Sequence, residues 1–359
     1  MAVTLAEVAA HAGVSPATVS RVLNGGYPVA GGTRTRVERA VEELGYVANA
    51  PARALAAATS DLVGVLVRDV ADGFFGILVA ALQRALGPEA PGQAGSGRLT
   101  VVCATEGAPA AELAHLTLLE GQRAGGVVLT GGAVEEVEHT VALTTRVARL
   151  ASGGTPVVLC GRPPLAVPAG LPVSTVAFDD RGGAFRLAEH LLTLGHRRIA
   201  YVAGPAGLST GRERLAGHRA ALARHGRALA EDCAALTVRT SLERSAGYDA
   251  TRALLRRGRS FTAVVAADDT VATGVVAALR EQGIRIPEDV SVAGFDDLPV
   301  CVDTAPALTT VRVPLREAGL LAAHLVTRRR QPPPDGITTL PTQLMVRGST
   351  APPPTGRQP

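Results

Sequence analysis

From residue 61 onward the sequence keeps one rhythm: a short apolar run, a stretch with helical spacing, then another apolar run. The runs fall at residues 62–67, 99–103, 126–129, 157–160, 199–202, 263–266 and 290–293. A strand covered by helices on both faces reads as a continuous apolar run, whereas a half-exposed strand alternates. Each intervening helix carries the chain back to the starting edge, so successive strands lie parallel. The alternation therefore predicts an α/β domain built on parallel sheets. Two such units make two lobes, with a cleft at the carboxyl ends of the strands. No internal repeat of roughly 20–50 residues competes with this reading.

Residues 1–46 have a different character and predict an all-α unit. Leu5, Val8, Ala9 and Ala12 recur at helical spacing, and so do Val37, Ala40, Val41 and Leu44. Thr4 with Glu7 forms a capping-box pattern, and Gly13 marks the end of that first helix. In "VSPATVSRVLNGG", Ser15 is placed to cap a second helix that opens on Pro16 and stops at Asn24-Gly25-Gly26. Short helices joined by a tight glycine turn are a helix-turn-helix layout. Residues 47–60 are rich in Ala and lack an apolar face, so they predict a hinge that is helical only when something holds it. "GPEAPGQAGSGR" predicts a flexible loop, "QPPPD" an interruption near the end of the second lobe, and residues 347–359 a disordered Pro-rich tail. The domain scheme is thus 1–46, 47–60, 61–346 and 347–359.

Composition removes several classes of function. All 36 basic residues are Arg, so no lysine can serve as Schiff base or general base. Cys103, Cys160, Cys233 and Cys301 lie far apart, which predicts free thiols rather than a zinc site or a disulfide frame. No cofactor is expected. No apolar run spans a bilayer, and Glu7 and His11 stand where a secretory signal would need a basic start and an apolar block. A cytoplasmic protein without a membrane partner is the expectation. Net charge is +4, compatible with a polyanionic partner but weak evidence for one. Residues 1–60 hold five arginines (Arg21, Arg34, Arg36, Arg39, Arg53) against four glutamates (Glu7, Glu38, Glu42, Glu43). Bulk charge does not mark that unit as a DNA binder.

One short pattern suggests catalysis. Gly207-Leu208-Ser209-Thr210-Gly211 spells the G-x-S-x-G of a hydrolase nucleophile elbow. An elbow needs its serine on the turn between strand and helix, with Asp and His following in the chain. Here residues 204–208 separate Ser209 from the strand, and His218 and His225 fall on the helix that follows. The context argues against a nucleophile.

The pieces together resemble one family. "TLAEVAAHAGVSPATVSRVLNG", "TRTRVERAVEELGY" and "NAPARAL" are similar to the headpiece and hinge of the lactose/galactose repressor (LacI/GalR) family of bacterial regulators. The likeness continues through "VADGFF", "HLLTLGHRRIAYVAGP", "AADDTVATGVVAALREQGIRIPEDVSVAGFDD", "PALTTVRVP" and "LPTQLMVRGST". It runs over nearly the whole chain in order. It implies a helix-turn-helix headpiece, a hinge helix and a two-lobed effector domain like the periplasmic sugar-binding proteins. Ala30 departs from the family, which usually has a serine before the third helix, and so does the loop at 88–97.

On that likeness the partner is double-stranded DNA, a palindromic operator bound by a homodimer. A helix in the major groove reads with its first turns. Pro16 and Ala17 offer apolar surface suited to a thymine methyl, and Arg21 is the candidate for a bidentate contact to guanine. Thr18, Ser20 and Asn24 suit phosphates or sugars, with Thr4, Ser15, Tyr46 and Asn49 as further DNA-side positions. Leu55 corresponds to the apolar wedge in the minor groove, with Ala52 and Arg53 beside it.

For the effector, the resemblance places Arg214 at the arginine that grips hydroxyls or a carboxylate, with Thr210 as a secondary polar contact. Phe74 and Phe75 match a first-lobe aromatic pair, and Asp268 and Asp296 match second-lobe polar contacts. Asp269 reads instead as a helix cap. Gly161 replaces a first-lobe Asp, Leu242 a frequent stacking aromatic, and Leu208 an Arg of some members. Asp268 itself replaces a frequent Asn. The expected function is a transcriptional regulator, a repressor by preference, controlled by a sugar or sugar derivative. The alternative effector is less polar. A periplasmic-type solute-binding protein would have no use for residues 1–46, and an enzyme lacks an elbow in context or a P-loop.

Overall fold

The computed structural model describes residues 3–24, 29–46, 60–87, 97–226, 229, 231, 234–258 and 260–354. The chain divides into two compact units, Met1–Ser60 and Asp61–Pro359.

In the first unit, α1 (Leu5–Ala12), α2 (Pro16–Asn24) and α3 (Gly31–Leu44) enclose Val8, Ala9, Ala12, Val19, Val22, Val37 and Ala40. The caps are those the sequence predicts. Thr4 Oγ1 accepts the Glu7 N–H, and Glu7 Oε2 accepts the Thr4 N–H at 2.7 Å. That backbone donor holds the Glu7 carboxyl below the usual range. Gly13 closes α1 at φ +64°, a left-handed conformation that suits glycine. Ser15 Oγ accepts the Thr18 N–H at 3.2 Å and starts α2. At α3 the expected loss is visible: Ala30 is the cap residue and makes no side-chain cap bond. The hinge residues 47–59, and with them Asn49, Ala52, Arg53 and Leu55, lie outside the described residues, as does the loop at 88–96.

The second unit holds two parallel sheets. The first runs β11-β5-β4-β3-β1-β2, and the second runs β7-β6-β8-β9. Their strands are β1 (Leu62–Val67), β2 (Leu99–Ala104), β3 (Gly126–Thr130), β4 (Val157–Cys160), β5 (Val173–Phe178), β6 (Ile199–Ala203), β7 (Thr237–Arg239), β8 (Ala263–Ala266), β9 (Ser291–Ala293) and β11 (Ile337–Leu340). A third, antiparallel pair joins β10 (Thr310–Arg312) to β12 (Gln343–Met345). Every apolar run of the sequence is a strand. The strands it did not mark, β5, β7, β10, β11 and β12, are short or carry Ser and Thr, so no continuous apolar run announces them.

The chain passes from the first lobe to the second after β5, through helix Asp180–Thr193, and returns after β10 through helix Leu315–Val326. The returning helix buries Leu315, Leu321, Leu325 and Val326 in the core that also holds Leu78 and Leu82 of helix Gly73–Leu86. In the second lobe, Gly217 lets helix Ser209–His225 touch helix Asp180–Thr193. A Cβ there would collide with the Arg181 carbonyl.

The expected disorder of the tail does not hold for residues 347–354. Ser349 is buried and accepts the Thr309 N–H at 2.8 Å, and the Ala351 N–H donates to Ser291 Oγ at 3.1 Å. His196 lies 2.9 Å from the Ala351 carbonyl. Proline limits this segment to an extended path, but its neighbours still pair with β9, which composition alone does not reveal. Residues 355–359 lie outside the described residues.

Candidate functional site

A cleft of about 390 Å³ opens between the lobes at the carboxyl ends of the strands. The first lobe supplies Arg68 and Asp72 after β1, Thr105–Pro109 after β2, Thr130–Gly132 after β3, and Arg162 after β4. The second supplies Pro205–Leu208, Thr210, Arg214, Ser241–Glu243, Asp268 and Asp296.

Arg214 is the charged centre of the second-lobe wall. It is buried, and Nε donates to Asp180 Oδ1, Nη1 to the Ala267 carbonyl and Nη2 to Asp296 Oδ1, each at 2.8 Å. Its guanidinium lies over the Phe295 ring, 3.9 Å from the centroid. Burial opposes the charge, but Asp296 and Asp180 outweigh it and hold the Arg214 pKa above its ordinary value. One cation thus faces an excess of carboxylates. Burial and the neighbouring Asp268 and Asp269 push Asp296 well up despite Arg214. Burial likewise pushes Asp268 up to about 6. Asp296 sits at φ +108°, rare for a residue with a side chain, and Asp297 beside it is at φ +59°. The strained turn is what aims the carboxylate at Arg214.

Asp268 keeps its expected place in the cleft and also takes the cap expected of Asp269. Asp268 is the N-cap of helix Asp269–Glu281, accepting the Val271 N–H at 2.7 Å while it lines the cleft. Asp269 caps nothing. Its buried carboxylate accepts the Leu298 N–H at 2.8 Å and the Thr310 hydroxyl at 2.6 Å, bracing the loop that carries Asp296. Asp269 heads the helix in sequence, but its backbone is already helical, so its side chain turns inward.

Phe74 and Phe75 form the apolar floor, in edge contact at 5.1 Å. Gly131, at φ +75°, leaves room for Phe75, whose ring would stand 2.8 Å from a Cβ there. Leu208 and Leu242 add apolar wall. Phe74, Phe75, Thr210, Arg214, Leu242, Asp268 and Asp296 therefore meet in one cleft. Gly161 does not. At φ +78° it turns away beside Phe178, 3.1 Å from a would-be Cβ, and the next residue, Arg162, reaches the cleft instead.

Sequence reasoning missed a first-lobe cluster. Glu112 Oε1 pairs with Arg162 Nη1 at 2.6 Å, and its Oε2 lies 2.9 Å from His139 Nε2. Arg162 Nη2 also donates to the Thr130 carbonyl at 3.2 Å. All three side chains are buried and border the cleft. They come from three separate segments, so no local spacing signals them.

Ser209 is tied to the backbone of the first lobe. Its Oγ accepts the Ala133 N–H at 2.9 Å, its N–H donates to the Ala133 carbonyl, and the Glu135 N–H donates to Gly207. Arg212 grips both Glu135 oxygens beside it, at 2.9 and 2.8 Å. The G-x-S-x-G loop joins the two lobes along one edge. His218, buried against Tyr201, is pushed down to about 3 by burial and stays neutral.

In the first unit, Ser15, Pro16, Ala17 and Arg21 form an exposed face of α2, with Thr18 and Ser20 half-buried beside them. Thr4 is exposed at the start of α1, and Tyr46 packs against the small core. Asn24 ends α2. Among the described residues, no cluster of His, Cys, Asp and Glu could hold a metal ion, and no helix is long and apolar enough to cross a membrane.

A helix-turn-helix with an exposed polar face, in one chain with a two-lobed domain around a charged cleft, defines a class of ligand-cleft DNA-binding regulators. Residues 4–49 match the bacterial regulatory proteins of the lacI family, and residues 188–350 match the periplasmic binding protein-like domain. The chain is 36% identical over 358 residues to the HTH-type transcriptional regulator CelR of Thermobifida fusca, covering 96% of this chain and 98% of that one. It superposes on the Lac repressor dimer bound to operator and the anti-inducer ONPF with a TM-score of 0.78, at 27% identity, covering 98% of this chain and 100% of that one. A complex of the transcriptional regulator CelR with cellobiose gives a TM-score of 0.66 at 33% identity, covering 97% and 99%. The chain belongs to the LacI family. It is a transcriptional regulator with a DNA-binding domain at its amino end.

Proposed function

We propose that this regulator binds a palindromic operator as a homodimer and that a carbohydrate held between its lobes changes operator affinity. One observation carries the effector half: buried Arg214, Asp268 and Asp296 converge in the cleft with the Phe74 and Phe75 rings. Forked donors and fixed carboxylates match the adjacent hydroxyls of a sugar, while Phe74 and Phe75 suit its apolar ring face. The DNA half rests on the exposed α2 face, where Arg21 makes no ion pair with another described residue and is open to a guanine edge. Thr18 and Ser20 stand beside it for phosphates, and Asn24 at the end of α2 belongs to the same reading. A two-fold dimer supplies the second half-site. The hinge contacts of Ala52, Arg53 and Leu55 belong to the same reading.

Titrating a labelled palindromic duplex with protein, with and without candidate sugars, tests it. Operator affinity should change when a bound sugar saturates the cleft, by roughly 5–150-fold for a typical coupling. Operator binding that ignores every ligand shown to occupy the cleft would remove the regulatory half. Leu208 and Leu242 favour a second reading, in which the ligand is less polar than a free sugar.

A further inference from the structure

We infer that the amino-terminal edge of the first lobe is a second DNA contact, where Arg328, Arg329 and Arg330 bind backbone phosphates flanking the operator. The inference rests on the operator reading and adds a site outside the headpiece. It starts from charge. The first-lobe strands lie parallel, so their ends define two opposite edges. At the carboxyl ends, beside the cleft, Asp69, Glu106, Glu135, Glu136 and Glu138 are exposed. At the amino ends, Arg98, Arg123, Arg149 and Arg328–Arg330 outnumber Asp61, Glu120 and Asp335 among the described residues. A polyanion is thus repelled from one edge and drawn to the other.

The arginine run is more than a helix end needs. Helix Leu315–Val326 ends at its cap Thr327, and one basic residue there would complement the helix dipole. Three adjacent arginines repel one another unless an anion lies against them. Arg328 sits at φ +58°, a left-handed position that suits glycine or asparagine, so the turn itself does not call for a cation. Its Nη2 donates to the Gly154 carbonyl at 2.6 Å, which holds the side chain over the loop before β4. Arg330 is exposed and makes no ion pair with another described residue. Both border a hollow of about 430 Å³ whose walls include Gly154, Leu171, Pro172 and Gln331. Among the described residues that line it, only Arg328 and Arg330 are charged, so a phosphate there meets no carboxylate.

Position supplies the partner. The chain enters the lobed domain at this same edge, where Asp61 leads into β1. Gly154 precedes β4, which is two strand spacings from β1, or roughly 10 Å. Residues 47–60 can extend no further than roughly 50 Å, so DNA gripped by the headpiece is tethered within that reach of the edge. Tethering raises the effective concentration of the duplex, and contacts too weak to bind DNA alone then add to affinity.

The test uses the full chain and a palindromic duplex that it selects from a randomised library. Fluorescence anisotropy compares that site at about 20 base pairs with the same site extended by about one helical turn at each end. The face variant carries Arg328→Asn, Arg329→Gln and Arg330→Gln, the asparagine keeping the left-handed turn. A control of equal charge loss carries Arg219→Gln, Arg224→Gln and Arg256→Gln, all exposed in the second lobe. The parent should bind the extended duplex roughly tenfold tighter at low salt, with a salt slope steeper by about 0.9 for each added phosphate contact. The face variant should lose that advantage and keep the parent's affinity for the short duplex. The control should behave as the parent. Equal affinity of the parent for both duplexes overturns the inference. So does a length advantage that survives in the face variant, one that the control also loses, or a face variant weakened on both duplexes alike. In each of these cases binding of the short palindrome leaves the operator reading standing. A chain that selects no palindrome overturns the operator reading and the flanking contact together.

Discussion

The headpiece and the lobed domain handle polar groups in opposite ways. On α2 the polar side chains point outward, and the core beneath is seven small aliphatic residues. In the lobed domain the polar groups that matter are buried, and each is held by others from distant segments. An exposed arginine can be removed without disturbing the fold, whereas a buried one leaves its carboxylates stranded. Recognition of a large polyanion uses a surface laid out on one helix. Recognition of a small ligand needs a dry pocket, and several loops must converge to build it.

The largest expected effect falls on the buried side. Arg214→Ala strands Asp180 and Asp296, and breaking one partner of such a cluster costs about 3–5 kcal/mol. Urea unfolding followed by circular dichroism should show the lobed domain melting early while the headpiece keeps its own transition. Equal stability in parent and variant would dissolve the contrast. Next comes the exposed side. Arg21→Ala should lose about 1–3 kcal/mol of operator affinity with no change in either melting transition. An equal loss on random DNA would make Arg21 a phosphate contact.

A smaller effect sharpens the contrast within the headpiece. Ser15→Ala removes the cap of α2 and should cost about 1 kcal/mol of headpiece stability, leaving the lobes unchanged. Differential scanning calorimetry would resolve it, and an unshifted headpiece transition would mean the cap contributes nothing.

The smallest effect is the response to pH. Burial raises Asp268 to about 6 and Asp269 to about 7, so in the folded state both release protons later than in the unfolded chain. The unfolded chain then binds fewer protons across that window, and stability falls as pH rises. The stability these two groups contribute should therefore be fully present below the ordinary carboxylate range and lost as pH rises through about 7. Asp268→Asn keeps a capping side chain and removes one of the two late protons, so its melting temperature should fall less between acid and neutral pH. An identical slope in parent and variant would rule out Asp268 as a source.

The caps of α1 and α2, the strands of the two sheet interiors and the exposure of Arg21 depend on residues close in the chain, and the sequence alone determined them. Helix caps and buried parallel strands follow from short-range hydrogen bonding and from continuous apolar runs, which a single segment carries. Seven of the eight candidate effector positions line the cleft, and they were named through likeness to a known family rather than through any local rule. The tertiary structure alone decided the rest. It turned Gly161 aside and brought Arg162 in, gave Asp268 the helix cap expected of Asp269, joined Glu112 to His139 and Arg162, and pinned residues 347–354 to β9. For Asp269, Glu112 and Ser349 a buried polar group found a partner far away in the chain. Burial makes such pairing obligatory, but the sequence does not say which distant group will satisfy it.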